Sequence, residues 1–96
     1  MTNDIFTVIL SRQARKDLCS IPINIAVKLQ IWIEHVNSDG LYEIRKIRGY
    51  HDEPLEGKRF GQQSIRLNRS YRAFYKISKK NRIEFVDVIE VNKHDY

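Results

Sequence analysis

The residues of this chain that could carry chemistry gather in its second half. Arginines stand inside alternating apolar stretches at Ser64-Ile65-Arg66-Leu67 and at Tyr71-Arg72-Ala73-Phe74-Tyr75, and His94-Asp95-Tyr96 supplies three titratable groups in a row. His51 lies in a basic stretch between Arg45 and Arg59. A guanidinium can fork onto two phosphate oxygens and stabilise the extra negative charge of a phosphorane-like transition state. A histidine that titrates near neutrality can give or take a proton, and a tyrosine two positions away can orient or exchange one. Such a set suits the cutting of a phosphodiester. The same arginines also fit a solvated sheet face, paired across strands with Glu84 or Glu90. The residue types alone leave both readings open.

Other chemistries find less support. His35, His51 and His94 have no metal-ligand spacing, and no Cys-x-x-Cys or His-x-x-x-His occurs, so neither a metal nor another cofactor is expected. There is no phosphate-cradling glycine loop and no Ser-His-Asp pattern. His35 falls on the polar arc of a helix and reads as exposed. Asp52 and Glu53 read as solubilising loop residues.

Net charge is +5, and it is unevenly spread. Residues 41–82 hold twelve of the 17 Lys/Arg but four of the 12 Asp/Glu, a net of +8 against −3 for the remainder. An acidic partner such as nucleic acid is implied. The single cysteine, Cys19, excludes an internal disulfide framework and reads as a small buried hydrophobe in a reducing compartment. No stretch approaches the ~20 apolar residues of a membrane span, and no signal-peptide pattern is visible, so a cytoplasmic protein without membrane contact is expected.

The elements that must position these groups form one domain over residues 1–96. Phe6–Leu10 reads as a strand. Ser11 can cap a short helix from Arg12 to Cys19, in which Asp17 sits badly near the negative C-terminal end. Pro22 opens a second helix running to about Asn37 and stopped by Gly40. On that helix Ile25, Ala26, Leu29, Trp32, Ile33 and Val36 share the arc that faces the sheet. Ile23, Val27 and Ile31 make a second stripe, which either packs on the first helix or forms a docking groove. Residues 40–61 read as a long irregular connection, part of which, around Tyr42–Ile47, is expected to pair as a short strand. A three-strand meander follows, with turns at Asn68-Arg69-Ser70 and Ser78-Lys79-Lys80-Asn81 that force antiparallel neighbours. The class is α+β: β-α-α-β-β-β, two helices packed on an antiparallel sheet that is mixed at the N-terminal strand.

The stretch from His51 through Pro54-Leu55-Glu56-Gly57-Lys58-Arg59, Gly61, Ser64-Ile65-Arg66 and Tyr71-Arg72-Ala73-Phe74-Tyr75, together with His94-Asp95-Tyr96, resembles the RelE/ParE toxin superfamily of type II toxin–antitoxin modules. Within it the chain is most similar to the RelE, YoeB and HigB mRNA interferases. The resemblance covers nearly the whole chain. It implies a metal-independent endoribonuclease that enters the A site of the 70S ribosome and cuts mRNA by attack of a ribose 2′-hydroxyl on the adjacent phosphate. It also implies a cognate antitoxin that holds the toxin inactive. The resemblance makes Arg72 the contact to the scissile phosphate, and His94, Tyr96, Asp95 and His51 its catalytic companions. Arg45, Lys46, Arg48, Lys58, Arg59, Arg66 and Arg69 would hold RNA through phosphates. The tail here is His-Asp-Tyr rather than the family's His-Tyr or Asp-Tyr-His, which leaves the acid and base roles open. The same superfamily hosts ParE-like toxins that inhibit DNA gyrase and cut nothing, so fold alone does not decide between them.

Overall fold

The computed structural model describes residues 4–93. Strand β1 (Val8–Leu10) leads into helix α1 (Arg12–Leu18) and helix α2 (Ile23–Asp39). A one-turn helix α3 (Leu41–Ile44) and two 3-10 turns (Arg48–Tyr50 and Gly57–Arg59) flank a two-residue strand β2 (Glu53–Pro54). Strands β3 (Gln63–Arg66), β4 (Tyr71–Lys80) and β5 (Ile83–Lys93) complete one sheet of order β1-β5-β4-β3-β2. β1 lies parallel to β5 and every other pair is antiparallel, so the sheet is mixed at its N-terminal strand as the sequence implied. No helix among the described residues is long and apolar enough to cross a membrane.

One face of the sheet carries the core. Ile65, Ala73, Tyr75, Val86, Val88 and Val91 meet Ile25, Leu29, Trp32 and Val36 of α2 and Ala14 of α1, all buried. These α2 residues recur at three and four positions, which keeps them on one side of a 3.6-residue helix. Trp32 and Tyr75 are the largest fully buried side chains, and their rings lie 5.4 Å apart. Ser11 caps α1 as its type suggests: its Oγ accepts from the Ala14 N–H at 3.0 Å.

Several expectations need correction. Cys19 is exposed, because α1 ends at Leu18 and its C-cap residue turns toward solvent. The second stripe of α2 does not pack on α1: Ile23 is 80% exposed, Val27 50% and Ile31 40%. These positions project opposite the buried arc, where α1 cannot reach. The expected strand at Tyr42–Ile47 is helical over Leu41–Ile44. Gly40 ends α2 with φ 93° and ψ 149°, a conformation open essentially to glycine alone, and the Asp4 carboxylate then accepts the Tyr42 N–H at 2.8 Å. A Cβ on Gly40 would collide with that carboxylate. The β4–β5 turn is also tighter than read. The strands run to Lys80 and from Ile83, joined by Asn81 and Arg82, both with positive φ as a two-residue hairpin of this twist requires.

Candidate functional site

The face of the sheet turned away from the helices gathers the arginines. Residues directly opposite on paired strands share a face, and Arg66 of β3 lies opposite Arg72 of β4. Ser64 and Phe74 form the next cross-strand pair on that face, and Glu53 of β2 lies opposite Ser64. Arg72 is held on two sides. Its Nη1 donates to Ser64 Oγ at 3.1 Å and its Nη2 to Glu53 Oε1 at 3.1 Å. The Arg72 side chain is 12% exposed and Glu53 58%. A charge this enclosed needs a partner, and Glu53 supplies one from the rim. Neither Glu84 nor Glu90, the cross-strand partners that the sequence suggests, takes this place. Glu84 lies opposite Lys79 at the far end of the hairpin, and Glu90 is engaged by Arg59.

Arg59 reaches from the loop after β2 across this face. Its guanidinium stacks 4.3 Å over the Phe74 ring, donates to Gln62 at 2.9 Å and pairs with Glu90, which also accepts from Asn92. Phe74 is therefore buried although it shares its face with Arg72. Beside this arm Phe60 is 85% exposed and Lys58 is exposed. Arg72, Arg66 and Arg59 thus form a cationic floor whose charges are countered by two carboxylates, Glu53 and Glu90. Such a floor can exchange a carboxylate for a phosphate oxygen at little geometric cost.

Behind Glu53, on the opposite face, lies a buried polar cluster that the sequence reading missed. The Asp52 side chain is 2% exposed. Its Oδ2 accepts from the Tyr75 hydroxyl at 2.6 Å and lies 3.9 Å from Arg45 Nε. The same hydroxyl accepts from Arg45 Nε at 3.1 Å. With its amide turned to suit both neighbours, Gln63 donates to Asp52 Oδ1 at 2.8 Å and accepts from Arg45 Nη2 at 2.9 Å. Burial raises the Asp52 pKa above the usual aspartate value, against the opposing pull of Tyr75 and Arg45. Burial and then the Asp52 charge push the Tyr75 phenol far up, so it stays a donor. Asp52 and Glu53 are thus not loop solubilisers: each has a specific cationic partner, on opposite faces of the sheet edge. The signal was present in composition, since an acid within so basic a stretch is the natural counter-ion for its arginines.

The remaining site residues fall in three places. His51 is exposed in the left-handed region at φ 46°, immediately before Asp52. Lys46 bridges Glu43 at 3.1 Å, Arg48 is exposed, and Arg69 is exposed in the β3–β4 turn. Arg45 points inward, stacked near Tyr42 and Tyr75. His94, Asp95 and Tyr96 lie outside the described residues. His35 is exposed as read, and its Nδ1 meets the Tyr50 hydroxyl at 2.9 Å. Among the described residues no group of three or more His, Cys, Asp or Glu is arranged to hold a metal.

No protein-family model and no curated protein matches the chain. Solved structures do. The chain is similar to a YoeB/ParE toxin from Agrobacterium tumefaciens, at 17% identity and TM-score 0.69 over 93% of this chain and 99% of that one. It is similar to YafQ from E. coli strain BL21(DE3), at 17% identity and TM-score 0.71 over 91% of each chain. In the RelBE2 toxin–antitoxin complex from Mycobacterium tuberculosis the match is 26% identical, with TM-score 0.61 over 94% of this chain and 99% of that one. These likenesses give the chain the RelE/YoeB-like toxin fold, the α+β architecture expected from its sequence.

Proposed function

We propose that this chain, with its RelE/YoeB-like fold, is the toxin of a toxin–antitoxin pair and acts in the cytoplasm as a ribosome-dependent endoribonuclease. The observation that carries the reading is Arg72: an enclosed guanidinium on the open sheet face, fixed by Ser64 and Glu53, with Arg66 opposite and Arg59 beside it. The substrate is mRNA in the A site of the 70S ribosome, and the antitoxin blocks access until it is removed. That a similar fold was solved as a toxin–antitoxin complex supports the pairing.

In the reaction the 2′-oxygen of a ribose forms a bond to the adjacent phosphorus, and the bond from phosphorus to the 5′-oxygen breaks. The 2′-hydroxyl proton passes to a base and the departing oxygen receives a proton. Arg72 binds the non-bridging oxygens as the phosphorus gains negative charge, which is where a preorganised cation lowers the barrier most. Glu53 holds Arg72 in the free protein and gives way to the phosphate when RNA binds. His94, Tyr96, Asp95 and His51 supply the remaining acid–base chemistry. Lys46, Arg48, Lys58, Arg66 and Arg69 bind RNA phosphates without reading sequence.

The test is cleavage of mRNA on programmed ribosomes by wild type, Arg72→Ala and His94→Ala. Cuts within the A-site codon, absent on naked RNA, should fall by about 10²–10³ in rate without Arg72 and about 10²–10⁴ without His94. Growth arrest by a folded wild type that cuts nothing would remove the nuclease reading and favour gyrase inhibition, to be checked by DNA supercoiling.

A further inference from the structure

We propose that Asp52 is a positioning residue: from the helix-side face of the sheet it holds Glu53 in register with Arg72 on the open face. The inference rests on reading Arg72 as the group that stabilises the transition state.

The need for such a clasp follows from the shortness of β2. It has two residues, and one of them, Pro54, has no N–H to give to a ladder. Two residues before β2, exposed His51 takes a left-handed conformation, so the chain turns just as it approaches the sheet. Backbone pairing alone holds such a segment weakly. Its register matters nonetheless, because adjacent residues of a strand point to opposite faces and a slip of one position would turn Glu53 away from Arg72.

Asp52 is the residue that fixes this register. Its carboxylate is gripped by Tyr75 of β4, Gln63 of β3 and Arg45 after α3, all on the helix side. Tyr75 and Gln63 are themselves cross-strand partners. One residue later, Glu53 lies opposite Ser64 and meets Arg72 on the other side. Three separate elements therefore determine where Asp52 sits, and the peptide link carries that placement through the sheet to Glu53. A clasp serving only stability could use any well-packed apolar side chain, at less desolvation cost. An acid bound by directional hydrogen bonds fixes position more sharply than it adds stability.

The experiment is a double-mutant cycle on programmed ribosomes with Asp52→Asn, Glu53→Ala and both, each at a temperature where its melting curve shows it folded. Asp52→Asn should lower kcat by about 10- to 100-fold, as expected of a displacement near the reacting phosphate, with KM within about twofold. In the Glu53→Ala background the same change should cost less than about twofold, since the side chain it positions is already gone. Tyr75→Phe, which removes one grip and keeps the acid, should show the same pattern more weakly. Nitrogen-15 spectra of the Arg72 guanidinium give a reading that needs no cleavage: resolved Nη signals in the wild type should average together in Asp52→Asn. A loss of kcat that persists without Glu53, a loss carried by KM, or unchanged Arg72 signals would overturn the proposal. If the wild type cuts no RNA, the nuclease reading fails and the Arg72 signals alone decide whether the clasp exists.

Discussion

The two edges of the sheet are both very short strands, three residues in β1 and two in β2, and they are secured by opposite means. At the β1 edge the support comes from α1 and goes to backbone. Beyond Leu10, where β1 ends, Ser11 Oγ donates to the Ile89 carbonyl at 2.6 Å and Asp17 accepts the Val91 N–H at 2.9 Å. Asp17 looked misplaced near the C-terminal end of its helix. Satisfying an edge amide that β1 is too short to reach outweighs a dipole penalty of a few tenths of a kcal/mol. At the β2 edge the support is a buried cluster of side chains that ends in a carboxylate facing Arg72. Damage at the first edge should therefore register as lost stability alone. Damage at the second should change the site as well.

The most severe break is Arg45→Ala. It leaves the nearly inaccessible Asp52 carboxylate without its cation, and about 3 kcal/mol of unfolding free energy should be lost in urea titrations. Asp17→Ala comes next. It orphans the Val91 N–H and should cost about 1–2 kcal/mol, with cleavage per folded molecule unchanged. A fall in cleavage comparable to that of the Asp52 variants would erase the distinction between the edges.

The smallest effect is in pH. Asp52 has a folded pKa above its unfolded value, so it binds its proton preferentially in the folded state. Its contribution is complete below the unfolded pKa and is lost as pH rises through the folded one. Wild type should therefore gain stability relative to Asp52→Asn as pH drops from neutral toward about 4, while the carboxylates common to both cancel. The opposite slope in paired urea titrations would mean that Arg45 and Tyr75 outweigh burial there.

Much of this architecture could be read from residue patterns because the patterns are local. Alternation in 61–77 and 83–91 marks the strands, the spacing of Ile25, Leu29, Trp32 and Val36 marks the buried arc, and short polar links fix the antiparallel meander. Arg66 and Arg72 emerged on a common face by the same logic. What escaped depends on contacts between distant segments. The helical turn at Leu41–Ile44 relies on Asp4, and Glu53 finds Arg72 only once β2 has joined β3. The outward stripe of α2 was visible as a stripe, but its exposure could not follow from periodicity, which says nothing about what covers a second face.

The parallel pairing of β1 with β5 also sets a schedule. Ser11 and Ile89, joined by a hydrogen bond, are 78 residues apart in sequence. At about 5–20 residues per second, synthesis separates them by roughly 4–16 s. The β4–β5 hairpin, closed by a two-residue turn, can form within about 1–10 μs of being available. Strand β1 is thus the first strand made and the last to be paired. Until then Ile5, which the finished molecule buries, and the apolar run that follows it have no sheet to join. A nascent chain passes the interval between β1 and β5 with that segment open to chaperones and to other strands, and the sheet is completed at its oldest strand.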